Sequence, residues 1–133
     1  LSRTPSRRMV LRYVLDTNVV LYLLGGHLAE HLPTGEHFVS VITEMELLSY
    51  PSLSATDEKI IRDLLDNLHT VELTADVKER AISLRRAHSL KLPDAIIAAT
   101  AVSLDAELLT CDERLCRVPQ EKLVCQKPVL KQT

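Results

Sequence analysis

Hydrophobic positions in this 133-residue chain form two patterns, short β-branched runs and longer stripes with helical spacing. The short runs predict strands over residues 9–15, 37–42, 70–73, 106–110 and 122–126. The longer stripes predict helices over 17–24, 43–50, 54–68, 74–90 and 93–104, with a further turn of helix from 111. Helices separate most of the strands, which favours right-handed crossovers and a mainly parallel sheet covered on both faces. The predicted fold class is therefore α/β.

Composition narrows the class of protein without changing this picture. The chain is 46% apolar and 26% charged, as expected of one globular domain over residues 9–133. Aromatic residues make up only 3%, which disfavours modules that bind single strands by stacking bases on aromatic rings. The net charge of −2 counts against a passive nucleic-acid binder. It does not exclude an enzyme whose metal ions meet a phosphate.

Cysteine usage and the termini indicate a cellular location. The three cysteines form no CxxC pair, which is typical of a reduced, intracellular and hence cytoplasmic protein. No apolar stretch approaches the roughly 20 residues of a membrane span, so no membrane partner is expected. Residues 1–8 are polar and basic, and we expect them to be a tag remnant or upstream extension that packs weakly.

Four carboxylates follow predicted strands or open the helices beyond them. Asp16 ends the first strand, and Glu46 lies one turn into the helix after the second. Asp94 opens the apolar helix 93–104, and Asp112 follows the strand before the last. Because ligands of parallel α/β sheets bind beyond the carboxyl ends of the strands, these acids are expected to meet at one edge.

Each acid alone also has a purely structural interpretation. Asp16 and Asp112 could be helix N-caps, and Asp94 could complement a helix dipole. Thr43 and Glu46 have the spacing of a capping box. Four anions in one cleft, however, repel one another and lose hydration unless a cation joins them. Oxygen ligands suit Mg²⁺ or Mn²⁺, so the cluster predicts a site for one or two such ions.

The motifs that carry these acids resemble a known family. The segments "YVLDTNVVLYLL", "SVITEMELLSY" and "LPDAIIAATAVSLDAELLTCDERL", in that order, are similar to PIN domains, and more narrowly to VapC-type toxins of type II toxin–antitoxin pairs. The similarity runs from Met9 to about Val124. It implies a PIN-like three-layer α/β/α sandwich, metal-dependent endonucleolytic cleavage of RNA, a homodimer, and neutralisation by a cognate antitoxin protein.

The resemblance also implies roles for individual residues. The acids of the family's catalytic and metal site carry over as Asp16, Glu46, Asp94 and Asp112. Polar positions that hold this cluster in place carry over as Asn18, Thr110 and, more weakly, Ser40. Glu44 is expected to face outward, and Cys111 is interpreted as filler because it has no histidine partner.

Three basic residues precede the third acid and are candidates for RNA contacts. They are Arg85, Arg86 and Lys91. They could touch phosphates that flank the cut, or they could simply form a solvated helix face.

The functional hypothesis is hydrolysis of RNA phosphodiester bonds by a water that the metal activates. Two alternatives keep the fold: a housekeeping PIN nuclease in RNA processing, and a non-catalytic PIN-like module that binds RNA or protein. A phospho-receiver domain is a third alternative. It is disfavoured because that fold wants an acidic pair after its first strand, where this chain has Asp16 alone.

Overall fold

The computed structural model describes residues 10–117 and 124–131. Its strands are β1 (Arg12–Leu15), β2 (Glu36–Ser40), β3 (His69–Val71), β4 (Glu107–Leu109) and β5 (Val124–Gln126). Its helices are α1 (Thr17–Leu24), α2 (Val41–Leu48), α3 (Ala55–Asp66), α4 (Ala75–His88), α5 (Leu92–Ser103) and α6 (Glu113–Cys116). Residues 1–8, for which we expected weak packing, and the start of the predicted strand 122–126 lie outside these described ranges.

The sheet is parallel throughout, in the order β3-β2-β1-β4-β5. Strand β1 therefore lies at the centre, and Leu15 is aligned with Leu109 of β4. The chain moves outward on one side through β2 and β3, and it returns to add β4 and β5 on the other side. The boundary between β1 and β4 is the point at which the strand order reverses, where such folds open a cleft.

Alternate residues of β1 enter two separate hydrophobic cores, one on each face of the sheet. Val14 joins a core with Val77, Ala81 and Leu84 of α4 and the buried centre of α5. Tyr13 and Leu15 join the other core, whose helical members are Val19, Val20, Leu47, Ile61 and Leu65. Helices α4 and α5 thus cover one face and α1, α2 and α3 cover the other. The predicted α/β/α sandwich is confirmed.

Capping residues explain where most helices begin. Ser54 Oγ accepts from Asp57 N at 3.0 Å, and Thr74 Oγ1 accepts from Val77 N at 3.1 Å, as the sequence predicts. The predicted boundary between strand 37–42 and helix 43–50 is wrong by two residues. Ser40 Oγ accepts from Ile42 N at 3.1 Å, so α2 begins at Val41. This cap outweighs the strand preference of Val41 and Ile42, which had suggested a longer strand.

Helix α5 is the most deeply buried helix. All eight residues from 95 to 102 are buried, and four of them are alanine. Small side chains let α5 lie close to both the sheet and α4. None of the helices in the described ranges has the length and apolar character needed to cross a membrane.

The central position of β1 leads to a stability prediction. Leu15 is 0% exposed, and Leu15→Ala is expected to lower the free energy of unfolding by about 2–5 kcal/mol through lost burial and a residual cavity. Leu73→Ala is the matched control, because Leu73 is 49% exposed. Urea denaturation measures both changes. An equal, small effect of the two substitutions would contradict the assignment of Leu15 to the core.

Candidate active site

Asp16 lies at the carboxyl ends of the neighbouring strands β1 and β4. It directly follows β1, and its backbone N–H donates to Leu109 O at 2.9 Å, which extends the pairing with β4. Asp16 is only 5% exposed. Oδ1 accepts from Thr17 N at 2.7 Å, and Oδ2 accepts from Thr110 Oγ1 at 2.7 Å. The carboxylate is therefore fixed in orientation, and it caps α1, as its structural interpretation proposed.

Thr110 connects two of the four acids. Besides donating to Asp16, its hydroxyl oxygen accepts from Asp112 N at 3.0 Å. Asp112 in turn caps α6, because its Oδ1 accepts from Arg114 N at 2.9 Å and from Leu115 N at 3.4 Å. The loop after β4 thus carries one acid and positions another.

Glu46 reaches the same edge through a contact that the sequence did not suggest. Thr17 Oγ1 donates to Glu46 Oε1 at 2.7 Å and lies 2.9 Å from Thr43 Oγ1. The capping-box interpretation of Thr43 and Glu46 is wrong, because Ser40 caps α2 and Glu46 points across to the start of α1. Glu44, expected to face outward, is half-buried.

The residue missed by sequence reasoning at this point is Thr17. The "DTN" motif drew attention to Asn18, whose side chain is exposed and makes no hydrogen bond within the described residues. A threonine hydroxyl at the first helical position after a strand-end acid was the available signal. Ser40 is buried and acts by starting α2, the helix that carries Glu46.

Asp94 lies in the first turn of α5, which Lys91 precedes without a side-chain cap. Burial is the main cause that raises the pKa of Asp94, and repulsion from Asp112 and Glu46 adds to it, whereas Arg114 and Lys91 lower it. Burial likewise raises the pKa of Asp16. The Thr110 and Thr17 hydrogen bonds oppose that shift, and charge repulsion from Asp94 and Asp112 reinforces it. The charge repulsion places Asp94 near Asp16, Asp112 and Glu46, on the same side of the fold.

Two cations adjoin the cluster. Arg114 Nη2 lies 3.7 Å from Asp112 Oδ2, and its side chain is 73% exposed. Sequence reasoning overlooked Arg114, although a cation two residues beyond Asp112 on a short helix was visible. Lys91 is exposed just before α5, and its charge lowers the pKa of Asp94. Arg85 and Arg86 are exposed and line a surface depression with Ile82 and Leu92.

The chemistry of the donors fits a hard divalent cation. Within residues 10–117 and 124–131, no group of three or more His, Cys, Asp or Glu side chains is placed so that it could hold a metal ion. Mg²⁺, however, is commonly held by one or two carboxylates and keeps several of its waters, through which further acids act. Carboxylates that repel one another in a half-buried cleft are stabilised by such an ion. We therefore regard the four acids as compatible with Mg²⁺ or Mn²⁺.

The charge cluster predicts how stability varies with pH. A folded-state pKa above the usual 3.8 means that the folded protein holds the proton of Asp94 more tightly than the unfolded chain does. This contribution to stability is complete below pH 3.8 and is lost as pH rises through the raised pKa. At neutral pH in EDTA, Asp94→Asn is therefore expected to unfold at a higher temperature than wild type.

The advantage of Asp94→Asn should shrink as the pH falls towards 4, because wild-type Asp94 takes up its proton on the way. Glu72→Gln, which alters an exposed carboxylate outside the cluster, serves as the control. Thermal denaturation between about pH 4 and pH 8 measures the trend. A destabilised Asp94→Asn protein at neutral pH would contradict repulsion within the cluster.

A second prediction concerns the Thr17 hydroxyl. Thr17→Val keeps the side-chain shape but leaves Glu46 without its donor, and it should lower the free energy of unfolding by about 1.5–3 kcal/mol. Thr17→Ser retains the hydroxyl and should recover most of that loss. Urea denaturation distinguishes the two variants. Equal stability of the valine and serine proteins would show that the bond to Glu46 contributes nothing.

Comparison with known proteins agrees with this architecture. A family model of the PIN domain matches residues 13–121. A toxin–antitoxin complex from Klebsiella pneumoniae is 30% identical with a TM-score of 0.69, and the match covers 84% of this chain and 95% of that chain. No curated protein sequence matches the chain.

Two further solved structures share the fold at lower identity. VapBC2 from Rickettsia felis, bound to a promoter DNA fragment, is 21% identical with a TM-score of 0.72, covering 89% of this chain and 99% of that one. DNA-bound VapBC from Salmonella typhimurium is 19% identical with a TM-score of 0.73, covering 89% and 98%. The resemblance to VapC-type PIN domains is thus confirmed. Since the family model spans most of its length, this chain belongs to the PIN domain family.

Proposed function

We propose that this protein is the toxin of a type II toxin–antitoxin pair and that it hydrolyses RNA phosphodiester bonds with Mg²⁺ or Mn²⁺. Members of the PIN domain family are nucleases, so membership supports hydrolase chemistry. The observation that carries the proposal is the convergence of Asp16, Glu46, Asp94 and Asp112 at the strand-order reversal, where burial and repulsion raise the pKa of Asp16 and Asp94.

The four acids are the proposed holders of one or two ions. When bound, the ion supplies an activated water and neutralises charge that develops on the phosphate. The chain contributes by fixing its own groups. Thr110 and the N–H of Thr17 restrict the Asp16 carboxylate, and the Thr17 hydroxyl restricts Glu46. Acids held in place in this way need little reorganisation when a cation and a phosphate arrive.

Binding of RNA is proposed to depend on phosphate contacts more than on bases. Arg114 and Lys91 place positive charge beside the acids, and both side chains are exposed. Aromatic residues are only 3% of the chain, so base stacking has few candidates. Arg85 and Arg86, on the last turn of α4, would extend these phosphate contacts along the RNA strand.

The proposed partner is a cognate antitoxin. The complex from Klebsiella pneumoniae, at 30% identity over most of both chains, is described as a toxin–antitoxin assembly. The chain also exposes large apolar side chains that another protein could cover, among them Met45 at 58% and Tyr50 at 51%. A homodimer and a cytoplasmic location complete the proposal.

Cleavage of RNA tests the proposal. With Mn²⁺ present, the wild-type protein should cut RNA, and excess EDTA should abolish the activity. Asp16→Asn should reduce the rate by about 100-fold or more, the size of effect expected when one preorganised electrostatic group is lost. Gel or fluorescence assays of a defined RNA measure the rates.

Glu44→Gln is the matched control for Asp16→Asn, because Glu44 is a half-buried acid outside the cluster and should keep most activity. Cleavage that persists in EDTA or in Asp16→Asn would contradict the metal-dependent account. If Mn²⁺ stabilises the protein against unfolding but no RNA is cleaved, a non-catalytic PIN-like module would be favoured instead.

A further inference from the structure

All three cysteines of the chain meet beside the acidic cluster, although they are separated in sequence. Cys111, Cys116 and Cys125 line one pocket, together with Thr110 and Asp112 of the proposed site. Cys111 follows β4, Cys116 ends α6, and Cys125 is the middle residue of β5. Because β5 pairs with β4, the fold itself brings the third cysteine to the first two.

Two of these thiols lie close together. Both Cys116 and Cys125 line the pocket, and the side chain of Cys116 contributes to raising the pKa of Cys125. Cys116 is exposed at the end of α6, whereas Cys125 is half-buried in β5. An oxidant in solution therefore reaches Cys116 first, while Cys125 lies in the same pocket and is less accessible. An exposed thiol with a second thiol beside it is the arrangement of reversible redox cysteines.

The electrostatic surroundings agree with this order of events. Burial, with the contact to Cys116, raises the pKa of Cys125 to about 12, so this thiol keeps its proton in the resting protein. Two cations, Arg117 and Lys127, line the same pocket.

We propose that Cys116 and Cys125 form a peroxide-sensitive dithiol that closes into an intramolecular disulfide. In the first step, the Cys116 sulfur attacks the O–O bond of a hydroperoxide, which yields a sulfenic acid at Cys116 and releases water or an alcohol. In the second step, the Cys125 sulfur attacks the Cys116 sulfur. The hydroxyl leaves as water with the Cys125 proton, so two thiols are oxidised by two electrons and the peroxide is reduced.

This disulfide would act on the acidic cluster through two short connections. Asp112 caps α6, the four-residue helix that ends at Cys116. On the other side, Gln126, next to Cys125, accepts from Thr110 N at 3.1 Å, and Thr110 holds Asp16. The two sulfurs must approach to about 2.05 Å to bond, which draws α6 and β5 together. Oxidation is therefore expected to displace Asp112 and slow cleavage, an effect that rests on the proposed nuclease function.

Thiol counting tests the disulfide without reference to activity. The reduced full-length chain is treated with hydrogen peroxide in EDTA, alkylated, and analysed by mass spectrometry before and after dithiothreitol. Wild type and Cys111→Ser should each lose two alkylatable thiols and regain them on reduction. Cys116→Ser and Cys125→Ser should form no intramolecular disulfide, and Cys125→Ser should accumulate the sulfenic acid at Cys116. Cys116 is exposed, so its serine variant is expected to fold normally.

Three results would overturn the proposal: a disulfide that persists in Cys116→Ser, a disulfide between two copies of the chain, or irreversible oxidation of Cys116 while Cys125 stays alkylatable.

The effect of the disulfide on the acidic cluster is tested by cleavage of RNA with Mn²⁺. Oxidised wild type should be at least about tenfold slower than its reduced form and should recover with dithiothreitol. Unchanged cleavage after complete disulfide formation would overturn this effect. If the reduced protein does not cleave RNA, that result would count against the proposed nuclease function instead. The thiol count does not depend on activity, so it would still test the disulfide.

Discussion

The buried carboxylate of Asp16 is the group on which the rest of the candidate site depends. It lies at the carboxyl ends of the paired strands β1 and β4, and its two oxygens accept from Thr17 on one side and Thr110 on the other. Through Thr17 the carboxylate is linked to Glu46, and through Thr110 it is linked to Asp112. The Asp16 carboxylate is thus part of a hydrogen-bond network that joins both halves of the sheet and includes three of the four acids.

This arrangement is unfavourable for the isolated protein. Burial and repulsion raise the pKa of Asp16 and Asp94, which shows that the folded chain stabilises their ionised forms less well than water does. The two cores on either side of β1 compensate, because Leu15 and Val14 are fully buried next to the acid. The surrounding structure therefore holds a charge cluster that a bound divalent cation would stabilise, and this is the physical basis of the proposed metal requirement.

Much of the site followed from the sequence because it depends on topology. Once the strands were recognised as parallel, residues such as Asp16 and Asp112 had to share an edge. The contacts within the site did not follow, since they depend on side-chain direction. Glu46 has the spacing of a capping box, yet Ser40 caps the helix and Glu46 bonds to Thr17. The meeting of Cys116 with Cys125 was also hidden, because it arises from the pairing of β5 with β4.

The proposed metal site requires that the four acids together hold a divalent cation. An anomalous difference map from crystals grown with Mn²⁺ is the most direct measurement. We expect a manganese peak at the carboxyl ends of β1 and β4, in contact with at least one of Asp16, Glu46, Asp94 and Asp112, that is lost in Asp16→Asn. Crystals that show no peak there at saturating Mn²⁺, or a peak at another surface, would contradict it.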